Sequence, residues 1–182
     1  MRRALLVIDV QKEYFTGKVP VVDSSGSLKN ILLAIDRANE SNIPVIVIQH
    51  SALAKDAKTF RKGTPEWEFH LEIAKRHYNV LIEKNLPGSF TNTPLEKWLR
   101  DNSIDTVTIC GYMTHMCCDT TARQALHLGF NVEFLSDATG TIDISNDAGN
   151  ISAEELHRAI LIVQAARFSK LMTTGEWVGS LC

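Results

Sequence analysis

The stretch Ala4-Leu5-Leu6-Val7-Ile8-Asp9-Val10 decides the fold. It is a short, continuous apolar run that meets a carboxylate near its end, which is typical of a strand buried on both faces of a parallel sheet. Four further runs of this kind follow along the chain, and a weaker one lies near its end. The six predicted strands cover residues 4–10, 44–49, 79–83, 106–110, 131–135 and 170–173.

Helical patterns separate these runs. Apolar residues spaced i, i+3, i+4, i+7 predict a helix over about 27–42, and capping signals predict helices that begin near 93 and 152. Another helix is predicted over 116–128, with Gly129 as its C-terminal cap. The helix beginning near 152 presents Leu156, Ala159, Ile160 and Val163 on one face. The alternation predicts a three-layer α/β/α sandwich around a six-stranded parallel sheet.

The length and composition indicate the general class of protein. The chain has 182 residues, 45% of them hydrophobic, with a net charge of −2. These values predict one soluble domain over 1–182, and the weak charge argues against nucleic acid as a partner. No apolar run reaches the ~18 residues of a membrane span, and Met1-Arg2-Arg3 precedes too short an apolar stretch for a signal peptide. We therefore expect a cytoplasmic protein without a membrane partner.

Four cysteines are present, and none forms a CxxC pair. This argues against a zinc knuckle or a disulfide framework, so reduced thiols are expected. Cys117 falls at the start of the predicted 116–128 helix, where the helix dipole favours a thiolate. Buried packing is the alternative for this thiol.

Sites in open α/β sheets form beyond the carboxyl ends of the strands. The polar residues at or just after the carboxyl ends of the first three predicted strands are Asp9, Gln11, Gln49, His50, Glu83 and Lys84. The segment 111–118 follows the fourth strand. A carboxylate, a lysine and a thiol at one edge form a constellation suited to nucleophilic catalysis. For each residue a purely structural role is an open alternative, because strand-end aspartates often act as caps and lysines after strands are usually solvated.

Three motifs in order carry a family resemblance. The first is Asp9-Val10-Gln11 with Tyr14-Phe15, the second is Lys84 followed by Ser89-Phe90, and the third is Gly111-Tyr112-Met113-Thr114-His115-Met116-Cys117 followed by Thr121-Ala122. From Leu6 to about Val178 the chain resembles the isochorismatase-like cysteine hydrolases, which include nicotinamidases, carbamoylsarcosine and ureidoacrylate amidases, and streptothricin hydrolases.

The resemblance implies an isochorismatase-like hydrolase fold and a mechanism. Cys117 would be the nucleophile, Asp9 the general base and acid, and Lys84 an electrostatic stabiliser. A cis peptide would join Tyr112 and Met113, and the N–H groups of Met113 and Cys117 would form the oxyanion hole. Cys118 would pack in the core.

The residues around this centre are candidates for substrate contact. They are Gln11, Tyr14, Phe15, His50, Trp67, Tyr112 and His115. For His50 and His115 a backbone or helix-capping role is an open alternative, and Trp67 lies in a long connection, 52–77, where local packing is equally expected.

One geometric tension accompanies the resemblance. The implied strand order 3-2-1-4-5-6 places the third strand two spacings, ~9.6 Å, from the first. Lys84 must therefore reach Asp9 through its long side chain.

The metal-binding pattern of nicotinamidases is absent. Where those enzymes carry an Asp-x-His pair, this chain has His50 and Ala52, and His70 and His77 have no ligand spacing. The sequence therefore predicts no metal and no other cofactor, and it argues against nicotinamidase activity.

The predicted function is cysteine-dependent hydrolysis of a small amide, lactam or carbamoyl substrate through a thioester on Cys117. The alternatives are vinyl ether hydrolysis of the isochorismatase type through Asp9, and a catalytically silent binding or assembly module. The resemblance also implies a homodimer or homotetramer.

Overall fold

The computed structural model describes residues 1–181, except for the side chains of Ser24 and Ser25, so Cys182 lies outside the described residues. The strands are β1 Arg3–Ile8, β2 Val45–His50, β3 Val80–Lys84, β4 Thr106–Tyr112, β5 Asn131–Gly140, β6 Ile144–Asn146, β7 Gly149–Ile151 and β8 Lys170–Met172. The helices are α1 Ser24–Glu40, α2 Leu71–Ala74, α3 Leu95–Asp101, α4 Asp119–His127, α5 Ala153–Val163 and α6 Thr174–Gly179.

Six strands form one parallel sheet in the order β3-β2-β1-β4-β5-β8. This confirms the predicted α/β class and strand order, with β8 as the weak sixth strand. The strand β1 lies between β2 and β4, and its apolar residues 4–8 are buried on both faces of the sheet. The carboxyl ends of four neighbouring strands, β3, β2, β1 and β4, consequently lie side by side.

Side chains of β1 alternate between two cores, as the two-residue period of a strand requires. Leu5 and Val7 join the core under α1, which also holds the buried Trp177 of α6. Leu6 and Ile8 join the core under α3 and α4. The sheet therefore has a packed core on each face, and its strands are held rigidly up to their carboxyl ends.

The strand β5 is longer than predicted. It continues to Gly140 because β4–β5 pairing resumes after a register shift, with Gly111 opposite Thr139 and Tyr112 opposite Gly140. The predicted strand ended at residue 135, but the structure has the strand extension and then the antiparallel hairpin β6–β7. The local pattern missed this because the pairing partner lies far away in the sequence.

The helix α5 buries less of its apolar face than its sequence predicts. Ala153 is its one fully buried residue, whereas Val163 and its neighbour Ile162 are 41% and 62% exposed. Ala159 is also exposed, and Leu156 and Ile160 are half-buried. The apolar face predicted for this helix is therefore not covered at its C-terminal end.

The helices of residues 1–181 include none with the length and apolarity needed to cross a membrane.

Candidate active site

The site begins where β1 ends. Asp9 adopts a left-handed conformation, with φ +52°, which aspartate tolerates better than most residues. Its N–H still donates to the carbonyl of Ile48 at 3.0 Å, so the residue stays in register with β2. The chain leaves the sheet at this point with the Asp9 carboxylate fully buried.

Asp9, Lys84 and Cys117 come together. Lys84 Nζ lies 2.7 Å from Asp9 Oδ2 and donates to Cys117 Sγ at 3.2 Å. The Asp9 and Lys84 side chains have no exposed surface, and Cys117 is 6% exposed. Lys84 spans the two strand spacings with its own side chain, which resolves the tension in the sequence argument. A buried pair of this kind is costly to break, ~3–5 kcal/mol, because the remaining charge has no partner.

The electrostatic balance favours a neutral thiol in the resting site. Burial lowers the pKa of Lys84, but Asp9 and Cys117 together raise it above its ordinary value, so Lys84 is an ammonium. Burial and the negative charge of Asp9 raise the pKa of the Cys117 thiol well above its ordinary value, against the opposing effect of Lys84. The expectation that the helix start would favour a thiolate was therefore wrong for this resting state.

The segment that carries Cys117 is irregular. The peptide bond between Tyr112 and Met113 is cis, at the position that the resemblance implied. Thr114–Cys118 then forms a π-helical turn that leads into α4, so Cys117 precedes the α-helix proper, although the sequence predicted it inside one. The carbonyl of Met113 accepts from the N–H groups of Met116 at 3.1 Å and Cys118 at 3.2 Å. Cys118 has no exposed surface and packs in the core under α4, where the resemblance placed it.

Two other motif positions hold the Lys84 segment against α4. Ser89 donates its N–H to Thr121 Oγ1 at 3.1 Å, and the two hydroxyl groups are 2.9 Å apart. Both residues are fully buried. The Ser89-Phe90 and Thr121-Ala122 motifs therefore contact each other, which fixes the connection after Lys84 relative to the helix after Cys117.

Aromatic residues surround this centre. Tyr14 is buried, with ring centroids 5.1 Å from Phe60 and 5.5 Å from Tyr112, and Phe15 lies 5.6 Å from Tyr112 and 4.5 Å from His70. Burial and the nearby charges of Cys117 and Asp9 raise the pKa of Tyr14 well above its ordinary value, so it is a neutral phenol. Phe15 is half-buried and remains a candidate for substrate contact.

Two residues predicted to contact substrate, Tyr112 and Gln11, are buried and bonded to other groups of the protein. Tyr112 is fully buried, and its hydroxyl lies 2.9 Å from Ser27 Oγ of α1, which directs it into the core. Gln11 has no exposed surface; its carboxamide donates to the carbonyls of His50 at 3.0 Å and Trp67 at 2.7 Å. The structure therefore places both residues as supports of the site and not on its open side.

Trp67 is half-buried beside the carboxyl end of β2. Its indole N–H donates to Ser51 Oγ at 2.8 Å, and its carbonyl accepts from Gln49 at 3.1 Å as well as from Gln11. These bonds attach the long 52–77 connection to the site. Trp67 therefore lies next to the candidate site, and both its indole N–H and its carbonyl are hydrogen-bonded to neighbouring residues.

Of the two candidate histidines, His50 contacts the site lysine, whereas His115 contacts Thr141. His50 Nδ1 lies 3.3 Å from Lys84 Nζ, and His115 Nδ1 lies 2.5 Å from Thr141 Oγ1. Burial lowers the pKa of both imidazoles below their ordinary value, so both are neutral near pH 7. The contact of His50 with Lys84 was not predicted from the sequence, and substrate contact by His115 stays a prediction.

Sequence reasoning missed two residues that shape the site. Phe60 is buried with φ +52°, and its ring centroid lies 5.2 Å from that of His50. The buried carboxylate of Glu13 accepts from the N–H of Phe60 at 3.2 Å and from that of Lys18 at 2.6 Å. No local pattern distinguishes Glu13 from a surface residue, because its partners are distant or main-chain groups.

No group of three or more His, Cys, Asp and Glu side chains within the described part of the chain is arranged to hold a metal ion. His70 caps α2 through its ring nitrogen, and His77 is exposed.

A buried carboxylate, ammonium and thiol lie together at the carboxyl edge of the parallel sheet, an arrangement suited to nucleophilic catalysis. The Isochorismatase domain model matches residues 3–176. A Burkholderia xenovorans LB400 protein of known structure is 43% identical, with a TM-score of 0.96 over 99% of this chain and 87% of that one. The chain belongs to the isochorismatase family and is a hydrolase of that family.

Two curated relatives have named activities. Nicotinamidase 3 of Arabidopsis thaliana is 31% identical over 93% of this chain and 83% of its own length. A streptothricin hydrolase of Streptomyces noursei is 31% identical over 78% of this chain and 56% of its own length.

Proposed function

We propose that this protein hydrolyses the C–N bond of a small amide, lactam or carbamoyl substrate through a covalent thioester on Cys117. The single observation that carries the proposal is Lys84 Nζ, held between Asp9 Oδ2 at 2.7 Å and Cys117 Sγ at 3.2 Å in a buried site. A nucleophile, a proton acceptor and a fixed cation are the groups that acyl transfer requires.

In the first half of the proposed reaction, Asp9 accepts the thiol proton and the sulfur attacks the carbonyl carbon. The tetrahedral oxyanion accepts hydrogen bonds from the N–H groups of Met113 and Cys117, a type of contact worth ~3–4 kcal/mol per donor. The intermediate collapses, the C–N bond breaks, and Asp9 returns its proton to the leaving nitrogen.

In the second half, water attacks the thioester. Asp9 accepts a proton from this water, and the second oxyanion is held by the same two N–H groups. The C–S bond breaks, the carboxylic or carbamic acid leaves, and the Asp9 proton restores the Cys117 thiol. Lys84 keeps its charge throughout and balances whichever of the two groups is anionic.

The raised pKa of Cys117 means that the thiol is neutral at rest and must lose its proton during the reaction. Because the resting site holds one carboxylate, one ammonium and one neutral thiol, proton transfer from Cys117 to Asp9 moves a negative charge without creating one. The thiolate then forms beside Lys84 when the electrophile is in place. A resting thiol is also less exposed to oxidation than a thiolate.

The surroundings support a small substrate without a strong charge. Cys117 is 6% exposed, so the site admits only a small group without movement of its walls. The Phe60 ring lies against His50, which contacts Lys84, and burial keeps the His50 imidazole neutral. The activities for which the two relatives are named, nicotinamidase and streptothricin hydrolase, are both compatible with cleavage of a C–N bond.

The test is a panel of small amides, lactams and carbamoyl compounds, with nicotinamide included, assayed with wild type, Cys117→Ala and Cys118→Ala. Cys118 is the matched control, because it is the adjacent thiol and packs in the core. We expect hydrolysis by wild type and Cys118→Ala, none by Cys117→Ala, and an acyl adduct on the Cys117 peptide in acid-quenched samples.

Other outcomes would overturn the proposal. Amide hydrolysis that survives in Cys117→Ala excludes the thioester. Vinyl ether cleavage that is equal in wild type and Cys117→Ala assigns the chain to chemistry that uses Asp9 alone. Ligand binding without turnover of any class in the panel favours a silent binding module.

We also propose that the chain forms a homodimer or homotetramer. The exposed apolar side chains of Ile162 and Val163 at the end of α5 support this. Light scattering after size exclusion gives the mass of the particle directly, and a monomer at micromolar concentration would reject the proposal.

A further inference from the structure

The Lys84 ammonium has a third partner besides Asp9 and Cys117. His50 Nδ1 lies 3.3 Å from Lys84 Nζ. An ammonium carries three N–H donors and no acceptor, so three acceptors fix its orientation completely. The donors of Lys84 then point to Asp9, Cys117 and His50.

The sheet register creates this contact. His50 is the last residue of β2 and pairs directly with Lys84, the last residue of β3. The main chain of the next residue is also held, because the N–H of Ser51 donates to the carbonyl of Lys84 at 2.9 Å. The two side chains therefore leave adjacent parallel strands at the same level and on the same face.

Gln11 holds His50 in this place. Its carboxamide accepts from the N–H of His50 at 2.9 Å and donates to the carbonyl of His50 at 3.0 Å. The first motif therefore supports the Lys84 ammonium in two ways. Asp9 contacts Lys84 directly, and Gln11 fixes the main chain of the residue that contacts it from the other side.

We propose that His50 is a positioning residue for Lys84: a neutral imidazole, protonated at Nε2, whose Nδ1 accepts one N–H of Lys84 and so aims the other two at Asp9 and Cys117. The proposal deepens the proposed function, since it rests on the roles given there to Lys84 and Cys117. It differs from a substrate contact, because the imidazole acts through Lys84.

Neighbouring groups keep His50 in the acceptor state. The charged groups that face the ring are Lys84 on β3 and Asp9 after β1, with the Cys117 thiol next to both and the uncharged Phe60 ring on the other side. Burial lowers the pKa of His50, Lys84 lowers it further, and Asp9 acts in the opposite direction. Protonation in acid would remove the acceptor and place a second cation beside Lys84.

Two amide substitutions separate the two ring nitrogens. The side-chain oxygen of Asn occupies the position of His Nδ1, whereas the amide of Gln extends to the position of Nε2. His50→Asn therefore keeps an acceptor for Lys84, and His50→Gln moves it away. Both variants are uncharged and cannot titrate, and His50→Leu serves as a variant without any acceptor.

The readout is the rate of Cys117 modification by 2,2′-dithiodipyridine from pH 5 to 9, followed on the Cys117 peptide by mass spectrometry. We expect His50→Gln and His50→Leu to react about tenfold more slowly than His50→Asn, as loss of a hydrogen bond to a charged group would cause. Wild type should lose rate in acid more steeply than His50→Asn, because only wild type titrates at position 50.

A second readout does not depend on the thiol. The long-range ¹H–¹⁵N spectrum of wild type, with His50 assigned by its absence in His50→Asn, reports which ring nitrogen carries the proton. We expect an unprotonated Nδ1 from pH 6 to 8. A proton on Nδ1, or equal thiol reactivity in His50→Asn and His50→Leu, would overturn the proposal.

The experiment separates this inference from the proposed function. If the substrate panel shows no hydrolysis but the tautomer and the order of variant rates are as expected, the positioning role stands and the function fails. If hydrolysis depends on Cys117, but in His50→Leu the rates of Cys117 modification and of hydrolysis equal those of wild type, the proposed function stands and the role of His50 fails.

Discussion

Replacement of Asp9 by Asn should change thiol reactivity and hydrolysis in opposite directions. Asn has nearly the same shape and tolerates the positive φ of position 9, so the change removes chiefly the charge. Asp9 raises the pKa of Cys117, whereas Lys84 lowers it. Without Asp9, the buried ammonium has the thiol as its only acidic neighbour in the cluster.

The magnitude follows from the geometry. Two unit charges ~4 Å apart interact by ~4 kcal/mol at an effective dielectric constant of ~20. If only a third of such an interaction reaches the thiol, ~1.4 kcal/mol, the thiolate fraction at neutral pH rises about tenfold. Alkylation of Cys117 should therefore become at least about tenfold faster in Asp9→Asn, while hydrolysis is abolished because no group accepts and returns the proton.

The assay is iodoacetamide labelling of the Cys117 peptide between pH 6 and 9, run beside the hydrolysis assay. Asp147→Asn, at an exposed position in the β6–β7 turn, is the matched control and should behave as wild type. Labelling of Asp9→Asn that is no faster than wild type would refute the electrostatic account. Full hydrolysis by Asp9→Asn would refute the proton transfer.

Three further outcomes are expected. Cys118→Ala should keep substantial hydrolysis and lose ~1 kcal/mol of unfolding free energy in urea titration, because a buried sulfur leaves the core under α4; loss of activity with an intact fold would contradict the assignment of Cys117. Prior incubation with a chelator should leave hydrolysis unchanged, and activity lost and then restored by zinc would show a metal requirement. Arg3→Met should cost ~3 kcal/mol at pH 7, since it leaves the buried Glu133 without its ion pair. Burial raises the pKa of Glu133, but bonds from Arg3, Thr108 and Trp177 lower it below its ordinary value. That stabilisation is therefore present above pH ~4.3 and is lost as the pH falls through the folded-state pKa, so the gap between wild type and Arg3→Met should narrow in acid. A gap independent of pH would contradict this assignment.

The parts of the fold that depend on local pattern were predictable. Short apolar runs placed the six strands of the sheet, and a capping box located the start of α5 at Ser152. The extension of β5 to Gly140 was not predictable, since it depends on pairing with Gly111 and Tyr112 across the sheet. The exposed end of α5 was missed for the converse reason, because an apolar pattern does not show whether anything covers it.

The candidate site was predictable only in part. Asp9 and Cys117 follow central strands, so their proximity follows from the fold class, but the reach of Lys84 was accepted from the family resemblance alone. The contact between His50 and Lys84 depends on the exact register of β2 and β3, which composition does not fix. The shift of the Cys117 pKa depends on burial and on the charge of Asp9, so it required the assembled structure.

The backbone at Gly111 limits which parts of the site can be changed by redesign. Its φ is +114°, and an added Cβ would lie 2.0 Å from the carbonyl oxygen of Ile8, so any side chain here would force β1 and β4 apart beneath the Asp9 carboxylate. Directed evolution towards a new substrate should therefore leave Gly111 untouched. It should accumulate its changes in the 52–77 connection, whose main chain is anchored to Glu13 at Phe60 and to Gln11 and Gln49 at Trp67.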